Sequence, residues 1–324
     1  MAEKLLYHYC SNQSGLSILK HHTMRLSDIR KSNDYREMEL FYPEIFDTIL
    51  AGYKQHIFPI LYGGKQEEAA LRQLIQETRV RFESGFLDGS ISNFAACFSE
   101  HADMLGQWRG YADDGKGICL GFSQKELKRY IARNGNIMNL VKVKYLTKDE
   151  IREKREAYAQ QALADLQAMT EWLFENLQLD TDAQSADRLM AFNFSHFIEW
   201  IITDSLQYKI KGFQEEREWR IYILDSHYKA PEWVYLNSGS HCRSTDVDGT
   251  SATLELLNTK MDFYITDDDL ITYFLLPLDE VGPSVIKNIR LGPNSQIRER
   301  DLELYLRKYG FEGADIYRSE LTYR

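Results

Sequence analysis

Segments with strand-like sequence recur along the whole chain of 324 residues, and helical segments of different lengths lie between them. The strands do not alternate regularly with helices, as they would in a doubly wound parallel sheet. We therefore expect an α+β fold with a mixed or antiparallel sheet, and we expect residues 1–324 to form one domain. The predicted strands are short and rich in β-branched or aromatic residues: Leu5–Tyr9, Met24–Ser27, Ser92–Glu100, Gly117–Phe122, Trp219–Leu224, Trp233–Leu236, Thr272–Pro277 and Ile286–Leu291.

The longest helical pattern covers residues 148–210. Its apolar residues recur at three- and four-residue spacing in two stripes, from Ile151 to Leu177 and from Met190 to Tyr208, with the turn-like Leu179–Asp182 between them. This predicts a long helical hairpin inserted into the domain. Shorter helices are predicted for Gly15–Lys20, from about Tyr35, for 65–86, for Leu105–Tyr111 and for 298–309, and a surface excursion is predicted for Asn237–Ala252.

Composition and charge narrow the class of protein. The hydrophobic fraction of 44% and the charged fraction of 27% are ordinary for a globular chain. No run of about 18 apolar residues and no signal-peptide pattern occurs, so we expect a cytoplasmic protein that does not insert into a membrane. The four cysteines are widely spaced, as in a protein with reduced thiols. The net charge of −10 disfavours non-specific binding to phosphate backbones.

Several familiar catalytic motifs are missing from the sequence. It contains no His-Glu-x-x-His, no Walker-type phosphate loop and no Gly-x-Ser-x-Gly. The pairs His21-His22 and His241-Cys242 lack the second pair that a structural zinc site requires. The sequence therefore predicts no metal site.

The densest group of charged residues is the stretch Glu215–Arg220. If this stretch is a strand, alternate residues share a face, so Glu216, Glu218 and Arg220 would project together. Two neighbouring carboxylates repel each other, and they need either a cationic partner or a shifted pKa, as often found at active sites. The alternative interpretation is a structural ion pair in which Arg220 neutralises Glu218.

Two further groups combine aromatic and polar residues. Trp108 and Tyr111 are three residues apart and would share one face of a helix. That face either stacks on a planar ligand or packs the helix onto the sheet. His8, Tyr9 and Ser27 belong to the first two predicted strands, where they either line a pocket or act as satisfied polar groups of the core.

Taken in order, these motifs resemble an uncharacterised bacterial family, a domain of unknown function. The family carries no established activity, so the resemblance implies kinship rather than a reaction. The motifs that carry it are Tyr-His-Tyr near the start, Asn-Asp-x-x-Glu, Phe-Ser-Glu, Trp-x-x-Tyr-Ala-Asp, Gly-Ile-Cys-Leu-Gly-Phe, Glu-x-Glu-Trp-Arg and the pair Ser319 and Arg324.

The same order of motifs resembles ADP-ribosyltransferase toxins, which use NAD as substrate. This resemblance implies an ADP-ribosyltransferase-like sheet, with Glu218 holding the nicotinamide ribose and Glu216 orienting the acceptor. Ser27 stands alone where such enzymes carry a full Ser-Thr-Ser signature. The residues that would contact the dinucleotide are His8, Tyr9, Ser27, Trp108, Tyr111 and Arg220.

The leading hypothesis is therefore an NAD-dependent ADP-ribosyltransferase-like enzyme, as a bacterial toxin or anti-phage effector with a protein or nucleic acid as acceptor. Breaking the nicotinamide–ribose bond develops oxocarbenium charge, which a fixed carboxylate stabilises. Two alternatives stay open. One is a non-enzymatic domain for ligand sensing or protein interaction, and the other is a metal-dependent nuclease.

Overall fold

The computed structural model describes residues 3–29, 91–133, 138–176, 204–226, 261–265, 269–282 and 284–323, with isolated positions at 40, 41, 45, 48, 51, 52, 55, 73, 76, 80 and 201. The described strands are β1 (Leu5–Cys10), β2 (Thr23–Asp28), β3 (Ile91–Ser99), β4 (Ile118–Ser123), β5 (Met138–Lys142), β6 (Lys144–Leu146), β7 (Tyr208–Ile210), β8 (Glu218–Ser226), β9 (Met261–Ile265), β10 (Leu270–Pro277), β11 (Ile286–Leu291) and β12 (Asp315–Arg318). The described helices are α1 (Asn12–His21), α2 (Leu105–Tyr111), α3 (Gln124–Arg133), α4 (Lys148–Asn176), α5 (Leu278–Val281), α6 (Glu299–Lys308) and a 3-10 helix over Lys211–Glu216.

Ten of these strands form one sheet. Its main path runs β12-β11-β4-β1-β3-β2-β10-β9, and β8 joins it by pairing with both β3 and β5. All described pairs in this sheet are antiparallel except β11 with β12, and β6 and β7 form a separate parallel pair. The prediction of an α+β fold with a mainly antiparallel sheet is confirmed at this level.

Strand β3 is the branch point of the sheet. Along one edge it pairs with β8 from Ile91 to Ser99. Along the other edge it changes partner, because β2 pairs with Phe94 and Ala95 whereas β1 pairs with Ser99. The strands β1 and β2 therefore separate beside β3, and Cys97 lies in the interval between their two pairings.

The main hydrophobic core lies on one face of this sheet. Buried residues of α1, α3, α5 and α6 pack there against alternate residues of the strands, including Phe98 on β3 and Ile221 on β8. Because side chains alternate between the two faces of a strand, Cys97, Glu218 and Arg220 project to the opposite face. A smaller buried cluster on that face joins Tyr9, Trp108, Ala112 and Cys119.

Most predicted elements agree with the structure, and several differ from it. Tyr208 was expected at the end of the second helix of the hairpin, but it begins the strand β7, so that part of the prediction is wrong. The first helix of the hairpin is α4. Strands β5, β6, β7, β9 and β12 and the helix α3 were not predicted. The predictions that lie mainly outside the described residues are the helices at Tyr35 and 65–86, the second helix of the hairpin, the strand Trp233–Leu236 and the excursion Asn237–Ala252.

Candidate functional site

The stretch Glu215–Arg220 changes conformation at Arg217, which adopts the left-handed region with a φ of 44°. Glu216 therefore ends the 3-10 helix, and β8 begins at Glu218. The prediction that Glu216 shares a strand with Glu218 and Arg220 is wrong, because the backbone turns between them. The side chains of Glu216, Glu218 and Arg220 nevertheless line one cavity.

Glu218 and Arg220 form a buried ion pair. Arg220 Nε lies 2.5 Å from Glu218 Oε1, and Arg220 Nη2 donates to Glu218 Oε2 at 3.1 Å. A third donor of the guanidinium, Nη1, reaches the Leu206 carbonyl oxygen at 3.2 Å. Arg220 is only 1% exposed, so the surrounding protein shields this pair from water. The predicted ion pair is therefore present.

Lys209, on the short strand β7, links the two glutamates. Its Nζ lies 2.8 Å from Glu216 Oε2 and 2.8 Å from Glu218 Oε2. The repulsion expected between the two carboxylates is thus offset by an ammonium group placed between them. Together with Arg220, the cluster contains two negative and two positive side chains and is electrically balanced. We call these four residues the ion-pair cluster.

The ion-pair cluster keeps Glu218 ionised. Burial by itself would raise the pKa of the Glu218 carboxyl, but the charges of Arg220 and Lys209 outweigh it and lower the pKa to about 2. Glu218 is therefore a fixed anion near neutral pH and a poor general base. Its backbone N–H donates to the Tyr145 hydroxyl at 2.8 Å, which anchors the first residue of β8.

His8 and Cys97 meet where β1 and β2 separate. The His8 Nδ1 lies 2.9 Å from the Cys97 carbonyl oxygen, and because that oxygen can only accept, Nδ1 donates. Burial lowers the pKa of His8, which favours the neutral ring with Nε2 as an acceptor. Solvent reaches Cys97, but the protein packed around its sulfur raises the pKa of the thiol, and the carboxylate of Glu218 raises it further. This thiol is therefore a hydrogen-bond donor rather than a thiolate nucleophile.

The two aromatic residues of α2 have different roles in the structure. Trp108 is fully buried, packs edge-on against Tyr9 at a ring-centroid distance of 4.8 Å, and donates from Nε1 to Asp103. Tyr111 is 42% exposed, and its hydroxyl donates to Glu216 Oε1 at 2.9 Å. Of the two interpretations, packing therefore holds for Trp108, while Tyr111 stands beside the ion-pair cluster.

The ion-pair cluster, His8, Cys97 and Tyr111 line one cavity of about 160 Å³. Most of its lining residues come from β1, β3, α2, β7 and β8, and its wall combines aromatic rings with the buried charges. The lining residues are Tyr7, His8, Tyr9, Ile29, Cys97, Phe98, Gln107, Tyr111, Lys209, Phe213, Glu216, Glu218 and Arg220. This arrangement can hold a small planar group between rings and offer it both hydrogen-bond acceptors and donors.

The structure brings together most of the residues proposed from the sequence, although two lie elsewhere. Ser27 and Trp108, both described, are not among the lining residues. Ser27 lies on β2 between Tyr273 of β10 and Ala95 of β3, and Trp108 packs in the buried cluster with Tyr9. Tyr9 lines the cavity, but its hydroxyl already donates to the His101 carbonyl oxygen and accepts from the Met104 N–H. Lys209 was missed. The sequence gives one local indication of it, since Lys209 stands between the apolar residues Tyr208 and Ile210 a few positions before the glutamates.

The residues that the structure describes form neither a metal-binding group nor a membrane-spanning helix. Within the described part of the chain, no three His, Cys, Asp or Glu side chains are grouped so that they could hold a metal ion. The nuclease hypothesis thus gains no support from those residues. Among the helices that the structure describes, none combines the length and the apolar character needed to cross a bilayer.

Comparison with known proteins gives one match. Residues 107–221 match the model of a family described as a protein of unknown function, DUF2971. The matched segment contains residues 107–111 of α2 and the whole ion-pair cluster, so the resemblance to a domain of unknown function is confirmed there. Searches of curated proteins and of solved structures found no match.

Proposed function

We propose that the chain binds NAD and breaks the bond between its nicotinamide and ribose, in the manner of an ADP-ribosyltransferase. The observation that supports this proposal is the single cavity that joins His8 of the first strand, the aromatic rings and the two glutamates before and at the start of β8. These are the residue types, in the chain order, that the resemblance to such enzymes assigns to NAD binding and cleavage.

The size and polarity of the cavity favour the nicotinamide end of the substrate. A volume of about 160 Å³ is well below the roughly 300–1,000 Å³ of pockets that enclose a whole drug-sized ligand. One ring would enter, and the rest of the dinucleotide would lie beyond the mouth. The carboxamide N–H of that ring would donate to Nε2 of neutral His8, while Tyr111 and Phe213 supply aromatic contacts.

The chemistry assigns different roles to the two glutamates. The bond between nicotinamide nitrogen and ribose C1′ breaks, its electron pair leaves with neutral nicotinamide, and an acceptor hydroxyl or water attacks C1′. Glu218, held ionised by Arg220 and Lys209, stabilises the oxocarbenium-like charge. Glu216 takes the proton of the attacking group, because its Oε1 faces the partly exposed Tyr111, where the acceptor would replace the tyrosine hydroxyl as donor.

Ligand sensing without turnover is the second candidate. The observation that favours it is that both oxygens of Glu218 and both oxygens of Glu216 already accept from protein donors. An enzyme would have to rearrange part of this network during the reaction, whereas a sensor would not.

Calorimetric titration with NAD tests the binding step. Gln107, half-buried on α2, lines the cavity, so Gln107→Trp should fill it and abolish the heat of NAD binding. Gln161→Trp makes the same replacement on the exposed face of α4 and should leave binding unchanged. Nicotinamide should compete with NAD in the wild type. No heat at millimolar NAD would refute the proposal, and heat that survives Gln107→Trp would place binding elsewhere.

A further inference from the structure

Asp103, in the loop before α2, accepts three hydrogen bonds, one from Trp108 on α2 and two from residues 319 and 320. Trp108 Nε1 on α2 donates to Oδ1 at 2.6 Å, and Ser319 Oγ donates to the same oxygen at 2.6 Å. The backbone N–H of Glu320 donates to Oδ2 at 2.8 Å. Hydrogen bonds to a charged acceptor are stronger than those between neutral groups. One carboxylate therefore ties α2 to the residues that follow β12.

The segment Ser319–Tyr323 runs beside α2 over the length of the helix. Leu321 packs against the cluster that contains Trp108 and Cys119. At the far end of the helix, the Tyr323 hydroxyl donates to Asp114 Oδ1 at 2.6 Å, and the Arg109 guanidinium lies 5.8 Å from the centre of the Tyr323 ring. The 319–323 segment is thus fixed before α2 begins, along its side and after it ends.

Helix α2 depends on such external contacts because its own sequence stabilises it poorly. It has 7 residues, fewer than the roughly 12–15 at which an isolated helix is still marginal. Gly106 and Gly110 lower its helix propensity further. Met104, the residue before it, supplies no side-chain cap, and its first turn contains no acidic residue.

The same helix carries Gln107 and Tyr111 of the cavity wall. We propose that the 319–323 segment is a positioning element, which holds α2 in its helical conformation and thereby fixes these two side chains against the ion-pair cluster. Trp108 transmits the constraint, because it bonds Asp103 on one side of the helix while Tyr111, one turn later, bonds Glu216. This inference goes beyond the proposed reaction, since it concerns the wall of the cavity whatever ligand enters it.

Hydrogen exchange of backbone amides, measured by mass spectrometry, tests the proposal. Deletion of residues 319–324 should speed exchange over 105–111 by on the order of tenfold or more, as expected from losing hydrogen bonds to a charged acceptor. The strand β10, four places away from β4 along the sheet path, should exchange as in the wild type. A synthetic peptide with the sequence of residues 319–324 should restore protection when added in excess. Unchanged exchange over 105–111 would overturn the proposal.

Point variants keep the test valid if the deletion does not fold. Ser319→Ala removes the hydroxyl that bonds Asp103 and should also speed exchange over 105–111, whereas Ser319→Thr keeps the hydroxyl and should retain protection. Glu320→Ala is the matched control, because the exposed Glu320 bonds Asp103 only through its backbone N–H. Equal behaviour of Ser319→Ala and Glu320→Ala would contradict the inference.

The thiol of Cys97 supplies a readout of the cavity itself. In a protein with Cys242→Ser, a bulky thiol reagent should label Cys97 faster after Ser319→Ala, because the loosened wall admits it. Buried Cys10 should stay protected. Equal acceleration at Cys97 and Cys10 would indicate general destabilisation and would overturn a specific positioning role.

Discussion

Replacing Glu218 by glutamine should destabilise the protein at neutral pH and much less in acid. Glu218 is 4% exposed, and its carboxylate pairs with Arg220 and Lys209. Glutamine would remove the buried negative charge that balances these two cations. The pKa of Glu218 is lowered from 4.5 to about 2. At about 1.36 kcal/mol for each unit of difference between the two pKa values, the ionised carboxyl contributes roughly 3 kcal/mol to the free energy of unfolding.

The sign follows from the direction of the shift. Because the pKa of Glu218 is lower in the folded protein than in the unfolded chain, its ionisation adds stability above pH 4.5. That stability is lost as the pH falls towards 2. The free-energy difference between wild type and Glu218→Gln should therefore be about 3 kcal/mol at pH 7 and should fall by more than half at pH 3.

Urea denaturation of both proteins between pH 7 and pH 3 measures this difference. Glu215→Gln is the control, because Glu215 is exposed and its substitution should change the free energy of unfolding by less than about 0.5 kcal/mol. A difference below about 1 kcal/mol at pH 7, or one that is the same at pH 7 and pH 3, would show that the ion-pair cluster does not hold Glu218 as described.

Three other predictions concern packing and charge. Lys209→Met should leave two buried carboxylates facing each other and cost roughly 3–5 kcal/mol in chemical denaturation, and Lys209→Arg should recover part of that loss. Gly117→Ala should destabilise by about 1–3 kcal/mol, because a Cβ would collide with the Cys10 carbonyl oxygen, whereas Gly110→Ala in α2 has open space and should stabilise by up to about 1 kcal/mol in thermal melts. Cys97 should react with iodoacetamide at pH 7 more slowly than free cysteine, because its pKa is raised; a rate equal to that of free cysteine would contradict this.

Local sequence patterns predicted the elements that build the site. The helix Leu105–Tyr111 was predicted with its observed bounds, and the strand beginning near Trp219 was found because aromatic and β-branched residues cluster there. Its period-two pattern also explains why Glu218 and Arg220 share a face. The local pattern did not predict the turn that precedes this strand. Arg217 adopts the left-handed region and separates Glu216 from the strand, and arginine is not a residue type that indicates this conformation.

The missed features depend on contacts between distant parts of the chain. Lysines are mostly exposed, so a buried Lys209 becomes recognisable only when β7 lies beside Glu216 and Glu218. The meeting of His8 with Cys97 depends on β3 changing partners, a pairing across 89 residues of sequence. Trp108 and Tyr111 are one helical turn apart, yet only the tertiary position of α2 decides that one packs inside and the other reaches the cavity.

Release of nicotinamide from NAD, followed by chromatography, tests the central claim most directly. The account predicts that the wild type releases nicotinamide and that Glu216→Gln lowers the rate by on the order of 10²-fold or more, the lower end of the range measured for general-base catalysis. Glu215→Gln should retain the wild-type rate, and melting curves should show Glu216→Gln folded at the assay temperature. Equal rates for Glu216→Gln and the wild type, or no nicotinamide from a folded wild type that binds NAD, would contradict the account.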